Sequence, residues 1–203
     1  MATDSKTKLL DAALHVIRTK GYAAATVDDI CLAAGVTKGS FFHHFSSKED
    51  LGLAAAAHFS ATTDAAFAAA PYHRLTDPRE RLLGYIDFRA ALLRGELAEF
   101  TCLLGTMVQD TYATHPAIRD ACNTYISSHA ANVAADVTLA KQQYAPDASW
   151  SPESLALFTQ TVLQGAFVLA KARNGPKIAT ESLTHLRRYI EDQLPLPRRL
   201  ATR

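Results

Sequence analysis

The densest run of groups able to meet an anion lies between Gly35 and Lys48, where Lys38, Lys48, His43 and His44 occur with no acid among them. Ammonium and imidazole groups at this density suit a face that meets phosphates. They do not suit catalysis. No HExxH, P-loop, GxSxG or dinucleotide fingerprint occurs, and no histidine has a carboxylate or nucleophile at a recognisable spacing. The three cysteines, Cys31, Cys102 and Cys122, are scattered without ligand spacing, so neither a metal nor another cofactor is expected. Free thiols of this kind fit a reducing cytoplasm.

Presenting those donors takes two short helices and a turn. Thr26 caps the first helix, and Asp29, three places on, can reach back to the cap's own N–H. Ile30, Ala33 and Ala34 follow at helical spacing. Gly35 closes the helix where a left-handed residue is needed, with Val36 packed behind it. Thr37 caps a second helix whose Phe41 and Phe45 share one face, which turns His43 the other way. The pattern predicts a helix-turn-helix, a unit that sets its second helix in the major groove of DNA. Leu9, Leu10, Ala13, Leu14 and Ile17 predict a preceding helix, closed by Gly21. With Tyr22, Ile30, Val36, Phe41 and Phe45 it would complete a trihelical core. Ser46 and Glu49 read as the capping box of a fourth helix, running from Leu51 to about Ala69 before Pro71 breaks it. Thr26 and Lys48 stand at helix starts, where a phosphate is favoured.

Tyr22, Thr26-Val27-Asp28-Asp29-Ile30, Ala34-Gly35-Val36, Lys38-Gly39-Ser40-Phe41, His44-Phe45 and Lys48-Glu49-Asp50-Leu51 together resemble the DNA-binding domain of TetR-family transcriptional regulators. The resemblance covers roughly the first quarter of the chain. It implies that Thr37, Lys38, Gly39 and Ser40 approach bases and backbone, Lys38 as a charged donor and Gly39 by letting the main chain come close. Family members carry tyrosine where this chain has Phe42, and that hydroxyl commonly meets a phosphate. Phe42 keeps the ring without the donor, so the contact is lost or passes to His43. The expected DNA-binding set is Thr26, Thr37, Lys38, Gly39, Ser40, Phe42, His43, His44 and Lys48.

Beyond Pro71 the chain reads as helices throughout. Asp77-Pro78-Arg79-Glu80 is a helix start with cap, first-turn proline and reciprocal carboxylate. Leu97 to Thr111 reads as one apolar helix, and Pro116 opens a long one carrying Ile118, Cys122, Tyr125, Ile126, His129, Val133 and Val137. Ser151-Pro152-Glu153 starts another, and Ile178 to Gln193 is the last. The expected fold is all-α with about nine helices: an N-terminal three-helix domain over 1–50, a C-terminal helical ligand-binding and dimerisation domain over 51–194, and a disordered basic tail over 195–203.

By the resemblance, the chain would bind a palindromic double-stranded operator as a homodimer through its last two long helices, with Gly165 and Ala166 permitting close approach. A small-molecule effector would release it by favouring a state in which the two heads no longer match sites roughly 34–36 Å apart. Phe67, Tyr85, Phe88, Phe100, Cys102, Met107, Tyr125, His129 and Phe158 are the candidates for lining an effector site. Cys102 could alternatively be a sensor thiol for oxidants or electrophiles, although no basic residue adjoins it in sequence. A helical enzyme and a protein-binding adaptor are the other classes.

Composition sets the outer bounds. Of 203 residues, 48% are hydrophobic and 20% charged, which suits a folded globular protein. The first eight residues are polar and lack the apolar core of a signal peptide. No run is expected to cross a bilayer, so no membrane partner and a cytoplasmic location are expected. A formal charge of +1 means that any attraction to DNA must come from local placement of charge.

Overall fold

The computed structural model describes residues 4–196 and holds ten α-helices and no strand among them. The arginine-bearing part of the expected tail, residues 197–203, lies outside the described residues. The helices are α1 (Ser5–Lys20), α2 (Val27–Ala34), α3 (Lys38–His44), α4 (Lys48–Ala68), α5 (Pro78–Ala91), α6 (Leu97–Phe100), α7 (Leu103–Thr111), α8 (Pro116–Tyr144), α9 (Pro152–Ala172) and α10 (Lys177–Gln193). A single 3₁₀ turn, Pro71–Arg74, precedes α5.

Local chemistry explains most helix ends. The Thr26 hydroxyl accepts from the Asp29 N–H at 3.1 Å, and the Asp29 carboxylate takes the Thr26 N–H at 3.0 Å. Gly35 adopts φ 64°, ψ 35°, and the Val36 N–H closes onto the Cys31 carbonyl at 3.0 Å. Thr37 caps α3 through the Ser40 N–H at 3.2 Å. Asp77 caps α5 with Pro78 behind it, but Glu80 turns to Arg79 at 2.9 Å instead of back to the cap. The box at α4 is displaced by one residue from the expected Ser46–Glu49 pair. There Ser47 accepts from the Asp50 N–H at 3.0 Å, and Asp50 takes the Ser46 N–H at 2.9 Å.

The expected helix from Leu97 to Thr111 is two helices. Thr101 is extended, with φ −79° and ψ 155°, and Cys102 restarts the chain by accepting the Gly105 N–H on its sulfur at 3.4 Å. The break gives ten helices in place of about nine.

Packing groups the chain into two compact units, Met1–Phe67 with Arg94–Ile126, and Ala68–Leu93 with Ser127–Arg203. This division differs from a cut near residue 50. In the first unit α1 contributes Leu9, Ala13 and Ile17, α2 contributes Ile30, and Phe41 and Phe45 come from α3 and its end. The same apolar cluster continues through Leu51 and Ala55 of α4, Leu103 and Met107 of α7, and Ile118 and Cys122 of α8. The trihelical head therefore shares its core with α4, α7 and the start of α8. Gly52 makes this possible where Tyr22 lies against α4, because a Cβ there would sit 2.9 Å from the ring.

In the second unit α10 packs along α9 and against α5. Leu82, Leu83 and Ile86 of α5, Leu163 and Ala166 of α9, and Leu183, Leu186 and Ile190 of α10 are all buried. Arg79 is buried and donates to the Leu194 carbonyl at 2.7 Å, while Arg81 pairs with Asp136 at 2.7 Å. One expectation is corrected here. By length and composition alone, the 21 residues of α9 could cross a bilayer. One side of α9 is nonetheless consumed in packing, through Leu155, Ala156, Leu163, Phe167 and Ala170.

Candidate nucleic-acid interface

The outward face of α3 is short and nearly free of internal obligations. Thr37, Lys38, Gly39, Phe42 and His43 are exposed, Ser40 is half-buried, and Phe41 is sealed inside. This is the division that the Phe41/Phe45 spacing predicts. A seven-residue helix has only two turns, so burying one face fully commits the other to solvent.

Lys38 is not a free cation. Its ammonium pairs with Asp28 of α2 at 2.8 Å, and that bond raises the Lys38 pKa above its ordinary value. Both partners are well exposed, so the pair can exchange for a phosphate or a base at little cost. Phe42 is 59% exposed, with its ring set edge-on to Phe41 at a centroid distance of 5.1 Å. His43 lies against the His44 ring at 4.9 Å.

Three of the expected DNA-binding residues are occupied inside the molecule. The His44 Nε2 is 2.7 Å from the Ser5 hydroxyl, which ties the end of α3 to the first turn of α1. Lys48 donates to the carbonyls of Tyr22, Ala23 and Ala25 at 3.0, 3.3 and 3.0 Å, and its ammonium lies 4.5 Å from the Tyr22 ring centre. An ammonium has three protons, and three carbonyls take them. Those three bonds lock the loop between α1 and α2. The Thr26 hydroxyl is exposed, but it both donates to and accepts from Asp29. Asp29 also takes Lys20 at 2.7 Å; that bond first, and the Thr26 bonds next, hold its carboxyl down at about 2.

Sequence reasoning missed two residues that hold the head. Asp110 of α7 accepts the Ala23 N–H at 3.2 Å. Arg18 of α1 donates to the Leu14 carbonyl at 3.0 Å and to Glu99 and Thr101 carbonyls at 3.3 and 3.4 Å. Partners this far apart in the chain leave no local spacing to read. The loop from Gly21 to Ala25 is thus gripped from both sides, its carbonyls by Lys48 and one N–H by Asp110.

Two family models match the chain. Residues 9–56 match the bacterial regulatory proteins of the tetR family, and residues 78–178 match the C-terminal domain of LmrA/YxaF-like transcriptional regulators. The chain belongs to the TetR family. The transcriptional regulator AcuR of Cereibacter sphaeroides is 38% identical over 101 residues, 45% of this chain and 46% of that protein. The chain spans half or less of the length of the curated relatives it matches. Among solved structures, the regulatory protein TetR from Rhodobacter sphaeroides aligns over 93% of this chain and 98% of its own, with 25% identity and a TM-score of 0.80. A TetR transcriptional regulator from Chloroflexus aurantiacus shares the fold at 22% identity and a TM-score of 0.82, over 95% and 97% of the two chains.

The candidates for an effector site divide between the two units of this TetR-family chain. Phe67, Phe100, Cys102, Met107 and Tyr125 fall in the first; Tyr85, Phe88, His129 and Phe158 fall in the second. Met107 is fully buried in the core around α7. The Cys102 sulfur serves as the cap of α7, and folding brings the Arg18 charge within its influence. Burial, and then Cys102, pushes the Cys122 thiol up to about 12, which leaves it inert. A surface groove of about 400 Å³ in the first unit is lined by Val108, Tyr112, Arg119, Asp120, Asn123 and Ile126, none of them among the candidates.

In the second unit a polar chain does form. The Tyr85 hydroxyl is 3.1 Å from His129 Nε2, and Gln160 donates to Tyr85 at 2.9 Å and to the Thr159 hydroxyl at 3.2 Å. The Tyr85 hydroxyl thus accepts from Gln160 and shares a hydrogen bond with the His129 ring. Burial, and the Arg89 charge after it, lower the His129 pKa to about 4, so the ring is neutral near pH 7. Phe158 is 40% exposed, and its ring lies tilted against Tyr189 at a centroid distance of 5.2 Å on the outside of α9 and α10.

Proposed function

We propose that the chain is a ligand-responsive transcriptional regulator, a repressor that binds a palindromic operator as a homodimer in the cytoplasm and leaves it when a small molecule binds. The observation that carries the reading is the outward face of α3, with Lys38 and His43 presented and Phe41 anchoring the helix, inside a segment matched to the family's regulatory head. Thr37, Gly39, Ser40 and Phe42 complete that face. Dimerisation fits the outer side of α9, where Leu157, Phe158, Val168 and Leu169 stay exposed next to Tyr189 of α10. Gly165 opens onto the same exposed side of α9, and a Cβ there would meet nothing. Ala166 instead points inward and is buried. The Tyr85–His129–Gln160 chain offers polar groups for orienting an uncharged effector within otherwise apolar surroundings.

The test is the double variant Lys38→Ala with His43→Ala. It should weaken operator binding by at least tenfold in a mobility-shift titration and flatten the salt dependence, while helicity and dimerisation stay as in the unchanged protein. Equal affinities for the two proteins would remove α3 from the reading face.

A further inference from the structure

We propose that Phe42 reads the C5 methyl group of one thymine in each operator half-site, an inference that rests on α3 being the DNA-reading helix. An exposed apolar side chain alone is ordinary surface. Two neighbours make this one different. Phe42 lies edge-on to the buried Phe41 ring at 83°, which aims its own ring outward with 59% of the residue exposed. Three residues earlier, and so on the same side of the helix, stands Gly39. A Cβ at Gly39 would meet nothing nearer than the Thr37 hydroxyl at 3.7 Å, and its φ is not one that requires glycine. Packing inside the protein therefore gives no reason for a residue that weakens a helix relative to alanine.

The combination is a flat, side-chain-free patch beside an outward apolar ring, on a helix face that also presents Lys38 and His43. Polar donors on this face can meet phosphates and base edges, but a phenyl ring has no hydrogen to offer. In the major groove the apolar feature that distinguishes one base pair from the others is the thymine methyl, and phenylalanine is among the side chains that contact it. A ring meeting a phosphate would lose hydration from the anion without replacing it. The ring therefore supplies sequence preference where a hydroxyl would have supplied grip.

The experiment uses the full-length protein. Its preferred duplex is selected from a random pool, and each thymine is then replaced singly by deoxyuridine, which deletes only the methyl. Uracil at one position of each half-site should weaken binding roughly fourfold, the effect of one buried methyl-sized group. Phe42→Ala should bind the thymine and uracil duplexes alike, with an unchanged melting curve because the ring is exposed. Leu32→Ala, which removes a still more exposed apolar residue from α2, should keep the uracil penalty. If uracil is neutral at every position, or if Phe42→Ala retains the penalty, the assignment is overturned. A pool that yields no enriched sequence instead overturns the DNA-binding reading, and this inference with it.

Discussion

The head and the second unit distribute polar groups in opposite ways. Around α1–α3 the polar side chains hold loops and helix ends: Thr26 with Asp29, Lys48 on three carbonyls, Asp110 on Ala23, His44 on Ser5. In the second unit Tyr85, Gln160, Thr159 and Arg79 turn inward, while Leu157, Phe158, Val168 and Leu169 face out. A head stiffened by its own polar groups can present a few donors in fixed register, which reading a duplex requires. A body that keeps apolar residues outside is built to be covered, and one that keeps polar residues inside can orient something buried.

The sharpest way to break this comparison is to charge the outer side of α9. Leu157→Glu with Val168→Glu should convert the dimer to a monomer by light scattering, weakening self-association at least a hundredfold, because a carboxylate in an apolar interface must be neutralised or left unpaired. Operator binding should fall with it, since one head alone reads half a site. A protein that stays dimeric with both substitutions would show that the exposed residues of α9 serve another purpose.

Next in size is the inward polar chain. His129 has its folded pKa lowered to about 4 against an ordinary 6.5, so below pH 6.5 the unfolded chain gains a proton that the folded one refuses. Stability should therefore fall as pH drops from 6.5 towards 4 and level off below that, by at most about 3 kcal/mol. Urea melts of the wild type and His129→Asn across that window isolate the contribution: the wild type should lose stability faster. Parallel slopes would mean that the imidazole is hydrated and that the polar chain is not sealed.

Lys48 tests the other half of the comparison, the claim that the head's charges are internal. Lys48→Met should cost about 2 kcal/mol by leaving three loop carbonyls short of a donor. The salt slope of operator binding should not change. A Lys48 that met a phosphate would behave in reverse, with the slope reduced by about one and stability kept.

Legibility in the sequence follows the same line. Caps and closures are local, so Thr26 with Asp29, Gly35, Thr37, Asp77 with Pro78 and Ser151 are readable from neighbours three or four residues away. The buried side of α3 is readable for the same reason. What was not legible depends on partners far along the chain. Lys48 is 26 residues from Tyr22, His44 is 39 from Ser5, and Ala23 is 87 from Asp110, so no local spacing announces these bonds. The split between α6 and α7 escaped because a cysteine is an uncommon cap and the apolar spacing runs on across it. The exposure of Phe158 was not legible because helical periodicity gives the stripes of α9 without saying which stripe meets the core. The spacing from Asp28 to Lys38 crosses a turn that periodicity does not span.

That last pair gives the smallest effect expected, and the finest test of the open face. Asp28 holds the Lys38 ammonium at 2.8 Å on a surface where both are well exposed, so the bond contributes little to folding. It does compete with DNA for the same cation, and it places a negative charge beside the reading helix. Asp28→Asn removes both obstacles without touching the capping box, which belongs to Asp29. Operator affinity should rise on the order of two- to fivefold at low salt, with the gain shrinking as salt screens it, and the melting temperature should stay put. Random duplex should gain by a similar factor, because a freed ammonium serves phosphates as readily as guanine. If the operator gains and random duplex does not, Lys38 contacts a base edge, and the ion pair acts as a gate on specificity instead of a brake on affinity.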